Sequence, residues 1–471
     1  MKRLNAALAA AFALLLAACA PSLPYRIALP SPLPDCRPDD SGNVAAECGS
    51  SMREHNDQYD LLFVEFDDQG LLYPPQAAGT GRASEQIALA LRQLRDIAAD
   101  TAAGYDGVSL FVFVHGWKHN AAADDSNVRL FRKMLLDAAL VESVAQKRHH
   151  VVGVYVSWRG ASVTLSPLDN LTFWDRKATA AHVASGEVRT LFSRLKGFQC
   201  AQNGTPAAGR CATGTAGARA RVRVILIGHS FGGLILYSAV SGLLLDGMAD
   251  DLDGQQPDGP VQRFGDMVVL LNPAFEATRY TPLHRLATQR SYDRYQAPVF
   301  VSVTSTADWA TGKAFPAGRF FNTMFERTAS AEEQQANNNT IGHMPSYVTH
   351  RLSADDGAPA SCLHWQRLRD IARETPAGAA RQARLAEALG AEKTNAAAFF
   401  ASGRKLPDHW VRPLCGGMRL EHLQFDANSP VWNVQTDGRV MAGHDDIYNE
   451  LLLDFMRQLY HDSILYRADG P

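Results

Sequence analysis

Several features are missing from this 471-residue chain, and each absence removes a class of function. There is no run of lysine or arginine, and the formal net charge is −3, so nothing supplies the electrostatic footprint that nucleic acid requires. No cysteine pair has C-x-x-C spacing beside histidines, which excludes a zinc site of the usual kind, and no metal or organic cofactor is expected. Internal repeats are absent, which sets solenoids and propellers aside. Beyond the N-terminus no stretch reads as long enough to span a bilayer. The length would allow two or three domains, but one large α/β unit with insertions fits it as well.

The first residues concern location. Met1-Lys2-Arg3 is basic, Leu4 to Leu16 is largely apolar but too short for a membrane span, and Leu16-Ala17-Ala18-Cys19 follows. That order is expected of a secretory signal peptide over residues 1–18. Leu-Ala-Ala-Cys resembles the lipobox of bacterial lipoproteins. The resemblance implies cleavage before Cys19 and acylation of its thiol. With Ala20 rather than aspartate next, it implies an outer-membrane anchor facing the periplasm. Loss of Lys2 and Arg3 with the leader would take the formal charge from −3 to −5. Six of the seven cysteines then remain, an even number suited to an oxidising compartment. Close spacing suggests Cys36–Cys48 and Cys200–Cys211, leaving Cys362–Cys415 as the third pair.

Residues 19–58, rich in Pro, Asp, Ser and Asn, read as a tether between that anchor and a folded body. Strand and helix signals then alternate. Strands are expected at 59–67, 108–117, 149–160, 222–227, 265–274 and 297–306, with helices at 84–100, 125–146, about 176–196 and after Phe231. This pattern implies an α/β fold with a mostly parallel sheet flanked by helices. Alternation fails over 310–428, returns with a strand at 430–438, and ends in a helix from Asp446 to His461. The chain therefore divides into a first core part (59–309), an insertion or lid (310–428) and a completing part (429–471).

Chemistry concentrates at the carboxyl ends of the expected strands, where parallel sheets bind ligands. "VRVILIGHSFGGLILYSAV" (222–240) reads as a buried strand, a tight turn and an apolar helix around Gly228-His229-Ser230-Phe231-Gly232. A G-x-S-x-G pentapeptide alone is weak, but strand–turn–helix is the setting it needs to expose a serine nucleophile. Phe231 opens the helix, and its N–H can face a developing oxyanion. A serine needs a base, itself oriented by a carboxylate. Asp308 follows the strand "VFVSVTST"; Asp266 starts a strand and belongs to the opposite edge. His444, in "GHDDI" between the last strand and the last helix, is the preferred base, with His343 and His350 as rivals inside the insertion. "FVHGWKHN" (113–120) offers Trp117 N–H as a second oxyanion donor, with His115 holding the loop. Trp158 and Arg159, ending a neighbouring strand, are candidate pocket residues.

From about residue 59 to 467 the chain resembles the α/β-hydrolase family, carried by HGW at 115–117, GHSFGG at 228–233, Asp308 and His444. "NPAFEA" (272–277) and "TSTADWAT" (304–311) resemble bacterial serine-hydrolase lipoproteins. The resemblance implies a Ser230–His444–Asp308 triad with oxyanion donors at Trp117 and Phe231, acting on a small ester or a lipid. Two other functions fit the same residues: acyl transfer on the same fold, or a surface lipoprotein that keeps the shell without catalysis.

Overall fold

The computed structural model describes residues 23–73, 85–100, 104–143, 148–160, 173–204, 221–249, 265–292, 296–355, 365–374, 378–400 and 406–468. The expected signal peptide, Cys19, Cys211 and Cys362 lie outside the described residues.

One sheet of eleven strands runs through the molecule in the order β1-β2-β4-β3-β5-β6-β7-β11-β8-β10-β9. The strands are β1 (Arg53–His55), β2 (Tyr59–Phe66), β3 (Gly107–Val114), β4 (His149–Trp158), β5 (Val222–His229) and β6 (Met267–Leu271). They continue with β7 (Phe300–Ser305), β8 (His350–Ala354), β9 (Val411–Leu414), β10 (Met418–His422) and β11 (Val431–Thr436). From β2 to β8 every neighbour pairs parallel; only β1, β10 and β9, at the two edges, are antiparallel. This is the α/β architecture that the alternating signals imply.

Continuous apolar runs make these strands because both faces of the sheet are covered. In β3, Val112 and Val114 enter one core while Phe111 and Phe113 enter the other. The first core is roofed by α1 (Gln86–Ala99), α3 (Phe173–Ser185), α4 (Val188–Asn203), α5 (Phe231–Ala249) and α6 (Thr281–Thr288). The second lies under α2 (Ser126–Ser143), α9 (Trp365–Arg373), α10 (Ala379–Phe400) and α11 (Glu450–Ala468). Contrary to the expectation that no stretch beyond the N-terminus is long enough to span a bilayer, α5 is by length and composition apolar enough to cross one. Burial against the sheet explains that composition: Leu234, Ile235, Leu236 and Tyr237 are all core residues. The single helix expected at about 176–196 is two, α3 and α4. The break falls at Gly186, where a Cβ would lie 2.3 Å from the Gly70 carbonyl oxygen of the turn after β2.

The 310–428 block is not one body. Its first part, with α7 (Phe315–Asn322) and α8 (Ala331–Asn338), stays near the carboxyl end of β7. Its second part extends the sheet past β11 as β8, β10 and β9 and lays α9 and α10 on the second core. Residues 23–58 are likewise packed on the body rather than strung out as a loose tether. A disulfide joins Cys36 and Cys48. Arg26, Glu54 and Arg132 are fully buried together, with Glu54 accepting from Arg26 at 2.9 Å and from Arg132 at 2.6 and 2.8 Å. The Glu65 carboxyl, at the end of β2, accepts the backbone N–H of Tyr25 at 3.1 Å and of Arg26 at 2.7 Å. Cys200 and Cys415 are also disulfide-bonded, and Cys211 and Cys362, their expected partners, lie outside the described residues.

Candidate active site

The chain leaves β3 toward β4 on one side and leaves β5 toward β6 on the other, with β3 and β5 adjacent. Their following helices, α2 and α5, therefore cover opposite faces, and a crevice opens between the two carboxyl ends. The turn at 115–118 and the turn at Ser230 meet there. Ser230 has φ +54°, in the left-handed region that costs an ordinary residue strain. Its carbonyl accepts from Gly233 at 3.0 Å and Ala274 at 3.2 Å, and its N–H donates to Leu271 O at 3.0 Å. Two glycines make the corner possible. A Cβ on Gly232 would lie 2.1 Å from Val114 O, and one on Gly116 would lie 2.8 Å from the Ser230 Cβ.

His444 follows β11 and Asp308 follows β7, its parallel neighbour, so their loops open beside Ser230. His444 Nε2 lies 2.7 Å from Ser230 Oγ, and Nδ1 lies 2.8 Å from Asp308 Oδ2. Burial disfavours the charged ring, but the Asp308 hydrogen bond and charge outweigh it and raise the His444 pKa above the ordinary histidine value. Burial also opposes charge on Asp308, yet the bond to His444 and those from Thr311 hold its pKa below the ordinary carboxylate value. The second Asp308 oxygen accepts N–H groups of Ala310 at 2.9 Å and Thr311 at 3.2 Å. Asp308 thus caps a helical turn and holds the imidazole at once.

Three buried residues that the motifs do not assign to this site brace it. Asn272, just past β6 at φ +43°, donates Nδ2–H to His444 O at 2.9 Å and Gly443 O at 3.2 Å, and its Oδ1 accepts Ser305 N–H at 3.0 Å. His229 Nε2–H donates to the same His444 carbonyl at 3.0 Å, and burial keeps this ring neutral, its pKa well below the usual value. Thr311 donates Oγ1–H to Asp308 Oδ2 at 2.5 Å and accepts from His343 Nε2 at 3.1 Å. The hints in sequence are that His229 sits inside the serine pentapeptide, Asn272 opens NPAFEA and Thr311 closes TSTADWAT.

The rival histidines are elsewhere. His343 stands behind Asp308, reached through Thr311. His350 is in β8, buried between Trp410, His422 and Trp432. Trp158, the candidate pocket residue, is buried, stacked on His115, and donates Nε1–H to His115 O at 3.0 Å. Arg159 is half-exposed and faces Asp68 at 3.5 Å. His115 donates Nδ1–H to Gly116 O at 2.8 Å and accepts the Trp158 N–H at 3.1 Å, with burial pushing its pKa down to about 4. The Lys118 N–H is bonded to Gly160 O at 3.0 Å, which fixes the far end of the turn that carries Trp117.

An apolar wall begins at Phe231. Phe173 lies 4.9 Å from it, centroid to centroid, Trp117 and Trp174 each lie 5.3 Å from Phe173, and Phe315 lies 5.9 Å from Trp174. Among the described residues, one His/Asp group has ligating atoms within 4.8 Å of one another: His229, His444 and Asp445. Both ring nitrogens of His444 are engaged by Asp308 and Ser230, and His229 Nε2 by a carbonyl, so the set does not fit a metal. The arrangement can deprotonate a hydroxyl, hold the resulting imidazolium, and present an apolar surface beside it. No protein-family model, no curated protein and no solved structure matches this chain.

Proposed function

We propose that the chain is a serine hydrolase of the α/β-hydrolase kind that cleaves carboxylic esters. The carrying observation is the unbroken hydrogen-bond chain from Ser230 Oγ through His444 to Asp308 at a strained strand–helix corner. In this reading His444 Nε2 takes the Ser230 proton as Oγ bonds to the ester carbonyl carbon. Backbone N–H groups of Trp117 and Phe231 receive the oxyanion. Collapse breaks the ester C–O bond, and the leaving alkoxide takes the proton from His444. Water then repeats the sequence in reverse: His444 accepts its proton, the hydroxide oxygen bonds to the acyl carbon, and Ser230 departs reprotonated. The aromatic wall suits an apolar acyl group. A lipid anchor at Cys19 and an envelope location facing the periplasm complete the proposal.

A fluorophosphonate probe tests it directly. We expect one label per chain at Ser230, none in Ser230→Ala, and loss of nearly all turnover of a short aryl ester in that variant. Undiminished turnover in Ser230→Ala rejects the triad, and no labelling of the parent chain favours a non-catalytic shell.

A further inference from the structure

Nine large apolar side chains are exposed among the described residues, and they are not scattered. Trp309 (70 % exposed), Phe320, Met324 and Phe325 (92 % exposed) fall in one stretch that starts at the residue after Asp308. Leu23, Tyr25 and Leu71 lie beside the carboxyl end of β2, where Glu65 holds the Tyr25 backbone. Only Val411 and Phe425 are elsewhere. β2 and β7 are parallel and five strand steps apart, roughly 24 Å, so both groups border the edge that carries Ser230.

From these positions we infer that this edge rests on a phospholipid bilayer, with the 309–325 stretch inserted into its interface and the ester taken up from lipid. The inference rests on the hydrolase reading for the substrate, not for the docking. Exposed Lys313 and Arg327 flank the apolar side chains, with exposed Glu326, Glu332 and Glu333 close by in sequence, and Arg319 is paired with Glu276 at 3.0 Å. The buried Glu276 beside it gathers three cations: Lys177, Arg279 at 3.2 Å and Arg319 at 3.0 Å. The chain outside the structure agrees in position. Cys19 is four residues before Leu23, a span of at most ~14 Å, so an acyl anchor there would hold a membrane against this same edge.

The four side chains of the 309–325 stretch expose roughly 500–600 Å² between them, given the 150–250 Å² that each such group carries. Phe325, almost wholly exposed in the turn after α7, protrudes rather than lining a groove. Protruding aromatic and methionine side chains with Lys313 and Arg327 exposed beside them suit the headgroup–acyl boundary. The aromatic wall from Phe315 through Trp174 and Phe173 to Phe231 then joins the inserted stretch to Ser230.

The test uses the full chain bound to vesicles of phosphatidylethanolamine and phosphatidylglycerol, three to one, with and without brominated acyl chains. Brominated lipid is expected to quench a tryptophan component that Trp309→Phe lacks. Equal quenching of parent and variant overturns the docking. In a second arm, Met324→Ser with Phe325→Ser should lower turnover of a vesicle-borne ester at least tenfold while leaving a soluble short-chain ester unchanged. Unchanged turnover of both, or a dimer in solution that the double variant abolishes, also overturns it. If the parent hydrolyses no ester at all, the hydrolase reading fails, and the quenching still decides the docking.

Discussion

Replacing Asn272 by Asp exchanges one NH2 for an oxygen in a side chain that is fully buried. The shape is kept, and so is the acceptor for Ser305 N–H. What changes is that the new oxygen, about 3 Å from the carbonyls of His444 and Gly443, can no longer donate to either as a carboxylate. Two hydrogen bonds at about 1 kcal/mol each are lost, and Gly443 O is left facing an acceptor, so we expect about 2–3 kcal/mol of destabilisation. His444 O still has the His229 bond, so the fold survives. The catalytic cost is larger, because the loop that relieves this repulsion is the one that carries the base. General-base catalysis contributes about 10²–10⁴-fold, and we expect kcat to fall about 10²-fold, roughly 2.7 kcal/mol. KM should hardly move, since Asn272 is not in the aromatic wall. Protonating the new carboxyl returns one donor, so the variant should regain part of its relative activity as pH falls, opposite to the parent. Steady-state kinetics on a soluble ester across pH 5–8, with urea unfolding, measure both effects. Parent-like kcat and pH profile in a destabilised variant would refute the bracing role.

Gly116→Ala puts a Cβ 2.8 Å from the Ser230 Cβ and 3.0 Å from His229 O, so it should fold yet label with fluorophosphonate at least tenfold more slowly; parent-like labelling contradicts the close approach. If His444 is the base proposed for ester turnover, activity should decline as pH falls through a pKa above 6.5; Asp308→Asn should shift that limb downward and cut kcat by about 10³–10⁴-fold, and an unmoved limb separates Asp308 from the base. The His115 pKa is depressed, so its contribution to stability is whole above pH 6.5 and is lost as pH falls toward 4. At about 1.4 kcal/mol per unit this is about 3 kcal/mol, and chemical denaturation of His115→Asn should show about one proton less uptake on unfolding in that window; an identical pH slope refutes it.

Ser230, Asp308 and His444 were readable because each lies in the connection after a strand whose apolar run is legible, and parallel strands bring their carboxyl ends to one edge. Asn272, His229 and Thr311 were not, because their bonds run to a backbone carbonyl or to one carboxylate oxygen. A contact from Asn272 to His444 spans 172 residues and leaves no periodicity in either segment. The 310–428 block misled for a different reason. "HRLSA", "VRPL" and "MRLEH" are short and half polar, as strands toward the margin of a sheet are, and they resemble loop text. The packed N-terminal segment was hidden because what fixes it is a buried charge cluster of Arg26, Glu54 and Arg132, and Arg132 lies far downstream in the main body.

The way residues 23–28 enter the body has a mechanical meaning. The Arg26 guanidinium donates to Ala121 O at 2.7 Å and Glu54 at 2.9 Å and sits 3.7 Å above the Phe63 ring, while the Glu65 carboxylate accepts the successive backbone N–H groups of Tyr25 and Arg26. A pull from the N-terminus loads these contacts together instead of peeling them singly, and passes the force into β2 and the central sheet. An anchor attached here behaves as a short strut, not as a slack rope. In a pulling experiment the first event should be a high-force rupture. A gradual low-force lengthening of about 100 Å, the reach of some thirty residues freed before the sheet yields, would show that the segment tears off without resistance.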